Sequence, residues 1–254
     1  MQAGVTFFGS SQFSTTVLQK LIDAHLPVSA VVTLPDKPAG RHLKLTPNPV
    51  KILAEKYRVP VYTSPQGGMV GLVAAYGRII PQQILDKFNN QIYNIHPSLL
   101  PKYRGPSPLQ NQILDGVVES GVTLIQLDNQ MDHGPIVAQQ KDVIHPDDTW
   151  KTLGERLFAK GADLFLQLQN PHPKPQNHQQ ASYTKKLTRQ DGFVTWEEFQ
   201  QPNKLERKLR AFANWPGVWT ADPAGRRLKL LSLNPPTVQY AGEKPKLIPL
   251  PKHI

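Results

Sequence analysis

The sequence contains no cysteine among its 254 residues. That absence excludes disulfide scaffolds, thiolate zinc sites, iron–sulfur clusters and cysteine nucleophiles. Long apolar runs are also missing, because a run such as residues 71–75 is far shorter than the roughly 20 residues of a membrane-spanning helix. The first residues lack the charged start and apolar stretch of a secretory signal. Together these absences favour a cytoplasmic protein that makes no membrane contact.

Acidic residues are few beside basic ones, 19 against 29, which gives a formal net charge of +10. Residues 182–254 carry 13 basic and 6 acidic side chains, a net charge of +7, whereas residues 1–181 carry a net charge of +3. Basic surfaces bind polyanions because counterions are released from the phosphates. The charge therefore predicts catalysis in the first part and nucleic-acid binding in the second. The alternative is that the charge only keeps a Pro-rich tail in solution.

Short apolar runs alternate with amphipathic segments in the first part of the chain, beginning with a run at 5–8 and helical spacing from Ser11. This alternation predicts an α/β fold with an open, mostly parallel, Rossmann-like sheet. Residues 34–49 hold four prolines and are predicted to lack regular structure. We expect a catalytic domain at 1–169, a Pro-rich linker at 170–181 and a small basic β domain at 182–254. The linker is predicted because that segment has no periodicity.

The first candidate site contains Asn94, near the end of a predicted strand, and His96, directly after that strand. Residues two apart in a strand share one face, and ligands of open parallel sheets bind beyond the carboxyl ends of the strands. An amide beside an imidazole can stabilise a carbonyl oxygen that gains negative charge. The alternative is a histidine that is only hydrogen-bonded at a strand end.

Asp132 is the second candidate, in a tight loop between two predicted strands and just before Gly134 and Pro135. A carboxylate that reaches His96 from a neighbouring strand would raise its pKa from about 6.5 towards neutrality. Such a pair can also move a proton. The alternative is an ordinary turn aspartate that caps backbone amides.

A long basic loop at residues 35–45 follows a predicted strand, on the side of the expected ligand crevice. Long irregular loops in compact domains are often functional, and Arg41 and Lys44 are predicted to hold a phosphate. The alternative is a solvated charged loop. The eight histidines show no zinc-binding spacing, so no metal site is predicted.

Taken in order, these segments resemble the methionyl-tRNA formyltransferase family. Asn94, His96 and Asp132, with the Ser-Leu-Leu-Pro run at 98–101, resemble the wider formyltetrahydrofolate-dependent transferases. The Pro-Ala-Gly-Arg loop that ends at Arg41 resembles the tRNA branch. The resemblance runs from about residue 5 to about residue 230, and the matching segments are 32–41, 45–51, 75–81, 94–101, 104–105, 121–123, 131–135 and 209–217.

The resemblance implies transfer of the formyl group of 10-formyltetrahydrofolate to the α-amine of initiator methionyl-tRNA, by a monomer that needs no metal. Asn94 and His96 would stabilise the oxyanion, and Asp132 would orient His96 and take the proton of the amine. The C-terminal domain would be an OB-like barrel. The implied folate contacts are Tyr76, Gly77, Ile79, Ser98, Leu99, Leu100 and Pro101. The tRNA contacts would be Arg41 and Lys44, to which charge adds Lys185, Lys186, Lys208 and Arg210.

The chain departs from the family pattern at two places. Relatives carry more than a dozen additional residues between Pro65 and Leu72, so a crossover helix is missing, although a parallel crossover ordinarily needs about a dozen residues. Either the sheet edge is simplified or a segment is omitted. After Ser232 the chain is rich in proline where relatives continue the barrel, so we expect a shortened domain.

Three other functions stay open at this stage. The chain could formylate an amino sugar nucleotide or another amine with the same three residues. It could be a hydrolase that releases formate from the same co-substrate. It could also be a decayed RNA-binding homologue without catalysis.

Overall fold

The computed structural model describes residues 4–39, 44–65, 67–201 and 205–247. Thirteen strands are described, of which the first nine lie in the first two thirds of the chain. These nine are β1 (Val5–Gly9), β2 (Val28–Val32), β3 (Lys37–Ala39), β4 (Lys44–Thr46), β5 (Val61–Tyr62), β6 (Val70–Ala74), β7 (Ile92–His96), β8 (Glu119–Gln126) and β9 (Ile136–Val143). The other four are β10 (Val218–Ala221), β11 (Arg227–Leu233), β12 (Pro236–Tyr240) and β13 (Lys246–Leu247).

The described α-helices separate the strands much as the apolar periodicity predicts. They are α1 (Gln12–Asp23), α2 (Pro49–Lys56), α3 (Gln82–Asp86), α4 (Pro108–Asp115), α5 (Trp150–Leu166), α6 (Trp196–Phe199) and α7 (Glu206–Ala211). None of the helices in the described ranges is long and apolar enough to cross a membrane.

Seven strands form the main sheet, in the order β5-β2-β1-β6-β7-β8-β9. The pairings among β5, β2, β1, β6 and β7 are all parallel, and β8 pairs with β7 in the antiparallel direction. Every residue of β1 is buried, as expected for a central parallel strand covered on both faces. The predicted α/β class is therefore confirmed.

Local sequence signals set where the first helices begin. Ser11 caps α1, since its side chain accepts a hydrogen bond from the Ser14 backbone in a reciprocal capping box. Asn48 caps α2 by accepting from the backbone N–H groups of Val50 and Lys51, and Pro49 occupies the first turn, where its missing N–H costs nothing. The caps thus fix the start of α1 directly after β1 and the start of α2 directly after β4.

Two layers of side chains cover the main sheet. On one face, Phe13 of α1 stacks on Phe158 of α5 with ring centroids 5.1 Å apart. On the other, Phe8 makes edge contacts at 5.8 Å with both Tyr76 and Phe88. The rest of that second cluster consists of Val32, Val73, Ile80, Leu85 and Ile92.

The connection from β5 to β6 is short. Residues 63–69 join the two strands although β2 and β1 lie between them, and the described residues of this segment form no helix. Gly68 lies against the sheet, because a Cβ added there would be 2.7 Å from the Phe88 ring and 2.8 Å from the Thr6 hydroxyl oxygen. Because glycine has no Cβ, this short connection can pass close to the sheet without forming a helix in its described residues.

The structure corrects two details of the sequence reading. Residues 34–49 are not wholly irregular, since β3 and β4 pair as an antiparallel ribbon. Both strands of a two-stranded ribbon are edges, so Pro38 can lie within β3 although it has no N–H to donate. The C-terminal sheet also continues beyond Ser232 through β12 and β13. Pro236 is the first residue of β12, a strand position that tolerates proline.

The chain divides into two compact units. The first comprises Met1–Arg104, Ser120–Asp142 and Gly154–Tyr183, and the second comprises Gly105–Glu119, Val143–Leu153 and Thr184–Ile254. The units thus interleave along the chain, whereas the predicted bounds 1–169, 170–181 and 182–254 run consecutively. We retain those predicted bounds as a proposal for the division of function.

The second unit contains a four-stranded antiparallel sheet in the order β10-β11-β12-β13. This sheet confirms the prediction of a small C-terminal β domain. Its core is a separate apolar cluster formed by Val194, Phe199, Leu205, Val218, Leu228, Leu230 and Val238.

Candidate active site

Strand β7 places Asn94 and His96 on one face of the main sheet. Successive strand residues point to opposite faces, and Tyr93 on the other face packs against α5, with its ring 6.1 Å from that of Phe165. His96 is the last residue of β7 and is 4% exposed. Both side chains therefore lie near the carboxyl end of a parallel strand, where ligands of such sheets bind.

Asp132 lies in the loop between β8 and β9 and meets both of these side chains. Its Oδ1 atom is 3.5 Å from Asn94 Nδ2 and 3.5 Å from His96 Nδ1. The backbone at Asp132 has a left-handed φ of 51°, which aspartate adopts more readily than most residues. The structure thus brings the three sequence-predicted residues together around one carboxylate oxygen.

The geometry around His96 favours the protonated imidazolium. Nε2 lies 2.9 Å from the carbonyl oxygen of Tyr103, and Nδ1 faces the carboxylate of Asp132. Both neighbours are acceptors, and only the imidazolium has N–H donors on both nitrogens. Burial and the charge of Arg104 lower the pKa of His96, but Asp132 and the Tyr103 carbonyl outweigh them, so the net direction is upward.

Three residues that the sequence analysis did not assign to the site lie next to it. Tyr103 accepts from His96, Arg104 is 1% exposed, and Gln176 donates to the backbone carbonyls of Asp132 and Gly134. Arg104 entered the sequence analysis only as part of a matching segment. Gln176 falls in the predicted linker, where the lack of periodicity gave no sign of burial.

Comparison with known proteins decides the family. Residues 3–168 match the family described as formyl transferase, and residues 186–250 match the formyl transferase C-terminal domain. A methionyl-tRNA formyltransferase of Roseiflexus sp. (strain RS-1) is 40% identical, over 87% of this chain and 73% of that protein. Another, of Dehalococcoides mccartyi (strain CBDB1), is 37% identical, over 91% and 79%. The chain belongs to the methionyl-tRNA formyltransferase family. The predicted membership is confirmed, and with it the prediction of an enzyme that transfers one-carbon groups.

Solved structures share the fold at lower identity. An N-formyltransferase of Helicobacter canadensis, in complex with folinic acid and dTDP-3-aminofucose, has a TM-score of 0.66 and 22% identity, over 91% of this chain and 87% of that one. HypX of Aquifex aeolicus, in complex with tetrahydrofolic acid, has a TM-score of 0.66 and 20% identity, over 91% of this chain and 38% of that one.

In this member of the family, the segment 98–101 is fixed through its backbone. The hydroxyl of Ser98, fully buried, donates to the carbonyl of Lys102 at 2.7 Å. The hydroxyl of Thr123 on β8 donates to the Ser98 carbonyl at 2.6 Å and accepts from the Leu100 N–H at 3.1 Å. Leu100 is buried, and Leu99 and Pro101 are half-buried. A folate contact there would use main-chain groups or the half-buried side chains.

The other predicted folate residues follow β6. Tyr76 is buried in the apolar cluster around Phe8, and burial raises the pKa of its hydroxyl. Gly77 has a φ of 81°, which requires glycine or strain. Ile79 is 71% exposed. Of these side chains, that of Ile79 is the most accessible to a ligand.

The predicted tRNA contacts occupy different environments. Arg41 and the side chain of Lys44 lie outside the described part of the chain. Lys185 is largely exposed and its Nζ is 2.9 Å from Asp191 Oδ1, while Lys186 is exposed. These last two are accessible to a phosphate, although Lys185 has an acidic partner.

The two predicted contacts on α7 are less open. Lys208 is half-buried. The Arg210 guanidinium pairs with Glu206 and donates through Nη1 to the Asp148 carbonyl at 2.9 Å. Arg210 therefore has a structural function in the second unit, whatever its contact with RNA.

The sequence analysis missed a basic cavity in the C-terminal sheet. Arg227 and Lys229 are two apart on β11, and they line a cavity of about 290 Å³ together with Gln239 and Tyr240 of β12. The Arg227 guanidinium lies 4.5 Å from the centre of the Trp219 ring. The alternation of basic residues on β11 was visible in the sequence and was the signal for this surface.

No set of three or more His, Asp or Glu side chains is placed to hold a metal ion in the ranges that the structure describes.

Proposed function

We propose that this enzyme transfers the formyl group of 10-formyltetrahydrofolate to the α-amine of methionine carried by initiator tRNA. The observation that carries the proposal is the convergence of Asn94 and His96 on one oxygen of Asp132, each at 3.5 Å. The relatives named methionyl-tRNA formyltransferase, at 36–40% identity over most of the chain, support tRNA as the carrier.

The donor set fits a formyl oxygen that gains negative charge. The amide of Asn94 and the imidazolium of His96 both offer N–H groups, and an oxyanion is stabilised by donors that are already in place. The folate co-substrate supplies the electrophilic formyl carbon. The contact of His96 Nδ1 with Asp132, at 3.5 Å, is longer than an ordinary hydrogen bond. This N–H can therefore turn towards a substrate oxygen, since catalytic contacts often tighten only when the substrate binds.

The proton balance assigns a separate task to Asp132. A bond forms between the attacking amine and the formyl carbon, and the bond from that carbon to the folate nitrogen breaks. The amine loses a proton and the leaving nitrogen needs one. Asp132 accepts the proton that the amine loses, directly or through a water molecule. It can then return a proton to the leaving nitrogen. Before Asp132 accepts the proton of the amine, its negative charge favours the imidazolium form of His96.

The remaining contacts are assigned from the family pattern and, for Lys185, Lys186, Lys208 and Arg210, from the basic charge of the C-terminal part. We assign the folate to Tyr76, Gly77, Ile79, Ser98, Leu99, Leu100 and Pro101. We assign the tRNA to Arg41, Lys44, Lys185, Lys186, Lys208 and Arg210. A cytoplasmic location and a monomeric state complete the proposal.

A single-turnover assay tests the function. The enzyme is mixed with 10-formyltetrahydrofolate and, in parallel, methionyl-tRNA, free methionine or an amino sugar nucleotide. We expect rapid formylation of methionyl-tRNA alone, and a loss of roughly 100- to 1,000-fold in Asn94→Ala. Wild-type rates in Asn94→Ala and Asp132→Asn would refute the assigned chemistry.

The same assay separates the acceptors. Alanine at Arg41 and Lys44 should weaken the tRNA reaction selectively. Preferential formylation of the sugar nucleotide would replace tRNA as the carrier, and formate release without any amine would indicate a hydrolase.

A further inference from the structure

Residues 174–183, here called the strap, pair at both ends with other segments of the first unit. Lys174 exchanges two backbone hydrogen bonds of 2.8 Å with Ile136 at the start of β9. At the other end, the backbone N–H of Arg104 donates to the Ser182 carbonyl at 2.8 Å. The strap is thus bound to the two chain segments that follow Asp132 and His96.

Gln176 is the residue of the strap that reaches the Asp132 turn. It is 5% exposed, and its Nε2 donates to the Asp132 carbonyl at 2.9 Å and to the Gly134 carbonyl at 2.7 Å. One amide group therefore uses both of its N–H donors on the turn in which Asp132 is left-handed. Left-handed backbone is unfavourable for a residue with a Cβ, so outside contacts of this kind help to hold it.

The oxygen of Gln176 is fixed from the opposite side. Arg104 Nη2 donates to it at 2.6 Å, and Arg104 Nε donates at 3.2 Å. Arg104 Nη2 also faces His178 Nδ1 at 2.8 Å. Because a guanidinium only donates, His178 accepts there. A buried amide whose donors and acceptor are all used has one orientation.

The strap also fixes the second partner of His96. The N–H of Tyr103 donates to the Ser182 hydroxyl at 2.9 Å, and Tyr103 has a left-handed φ of 61°. Its carbonyl is the group that accepts from His96 Nε2. Both acceptors of His96, one on each nitrogen, therefore belong to left-handed turns that the strap holds.

We propose that Gln176 is a positioning residue for formyl transfer, which holds the Asp132 turn so that the carboxylate faces Asn94 and His96. The inference rests on the proposed function, in which Asp132 is catalytic. Gln176 itself acts only through the backbone of the turn and through Arg104.

Two substitutions separate this role from a contribution to folding. Gln176→Glu keeps an oxygen acceptor for Arg104 but presents the Asp132 and Gly134 carbonyls with an acceptor, so the turn loses its donors. Gln176→Met removes the hydrogen bonds without adding a charge. We expect both variants to lower kcat by roughly 10- to 100-fold, since a displacement of about 1 Å can cost that much. The KM for methionyl-tRNA should stay within about threefold, because the lost interaction serves the transition state.

The titration of His96, followed by NMR in Gln176→Met, is a readout that needs neither formyl donor nor acceptor. The groups that face the ring are the Asp132 carboxylate, the Tyr103 carbonyl and the Arg104 guanidinium. If the turn moves away, burial and Arg104 dominate, and His96 should titrate at lower pH than in the wild type. The matched control is Gln112→Met, since Gln112 is 1% exposed and its amide donates to Pro108 within α4. That variant should leave the His96 titration unchanged.

The outcomes distinguish the inference from the function on which it rests. Wild-type kcat in both Gln176 variants, or an unchanged His96 titration with a loss of activity that only follows the folded fraction, would overturn the positioning role. If Asp132→Asn is inactive in that case, the proposed function stands and only the inference fails. If Asp132→Asn transfers formyl normally, the proposed function fails first.

Discussion

Replacing Asp132 by asparagine should reverse the direction in which the pKa of His96 is shifted. In the wild type, burial lowers this pKa, but the charge and hydrogen bond of Asp132 raise it further than burial lowers it. Asparagine keeps the size of the side chain and removes the charge. Burial and Arg104 then oppose only the Tyr103 carbonyl, so His96 should be neutral at pH 7.

The distance in the structure sets the size of the effect. Two unit charges 3.5 Å apart attract each other by about 5 kcal/mol at an effective dielectric constant near 20. This attraction is what offsets the cost of burying an imidazolium that is 4% exposed. Without it the imidazolium loses its main support, and transfer should slow by roughly 100- to 10,000-fold, the range seen when oxyanion donors or their orienting carboxylates are removed.

The pH dependence of the protein's stability should follow from the direction in which the pKa of His96 is shifted. A pKa of His96 raised above its ordinary 6.5 means that the Asp132 pair stabilises the folded state fully below about pH 6.5. That stabilisation is lost as the pH rises through the raised pKa. In Asp132→Asn the folded pKa lies below the unfolded one, so the folded state should instead lose stability as the pH falls.

NMR titration of the histidine rings measures the pKa directly, and His96→Gln assigns the signal. Asp128→Asn is the matched control, because Asp128 lies in the same loop and pairs with His133 at 2.6 Å. That variant should leave the titration of His96 in place. A pKa of His96 in Asp132→Asn equal to or above that of the wild type would refute the reasoning.

Three further predictions concern the rest of the molecule. Gly68→Ala should lower the free energy of unfolding, measured in urea, by about 1–3 kcal/mol, because the new Cβ meets the Phe88 ring. Adding Phe88→Leu should restore part of the loss. An unchanged unfolding midpoint in Gly68→Ala would contradict this prediction. Lys185, followed by Thr188, lowers the pKa of Asp191 from 3.8 to about 2, so the stability that Asp191→Asn removes at pH 5 should vanish as the pH falls towards 2. If Lys185 and Lys186 bind phosphates, alanine at either should reduce the salt dependence of tRNA binding by roughly one unit of slope.

The main sheet could be predicted because its signals are local. The strand β1 follows from the apolar run at 5–8, and the helix α1 follows from the helical spacing of apolar residues from Ser11. The β3–β4 ribbon could not be predicted, because its prolines indicated a segment without regular structure. Their number did not reveal a two-stranded pairing in which both strands are edges. The strand β12 was missed for a related reason, since Pro236 lies at its first position.

The candidate site was predictable only in its chemistry. Strand alternation placed Asn94 and His96 on one face, the loop between two predicted strands offered Asp132, and the resemblance then grouped the three residues. The contacts that hold them could not be read from the sequence, because they depend on left-handed backbone at Asp132 and Tyr103. Gln176 is more than 40 residues from Asp132 along the chain, and only the fold brings its amide to the carbonyl of that residue.

The short β5–β6 connection and the candidate active site are formed by different segments of the first unit. Residues 63–69 run between β5 and β6 and pack through Gly68 against Thr6 and Phe88. The groups around His96 come instead from β7, the loop that follows it, the β8–β9 loop and the strap. The short β5–β6 connection is therefore accommodated by packing, apart from the amide, imidazole and carboxylate on which the proposed formyl transfer depends. A decayed enzyme would have no reason to keep those three groups and the hydrogen bonds that orient them, so their convergence favours a working transferase over a binding protein derived from one.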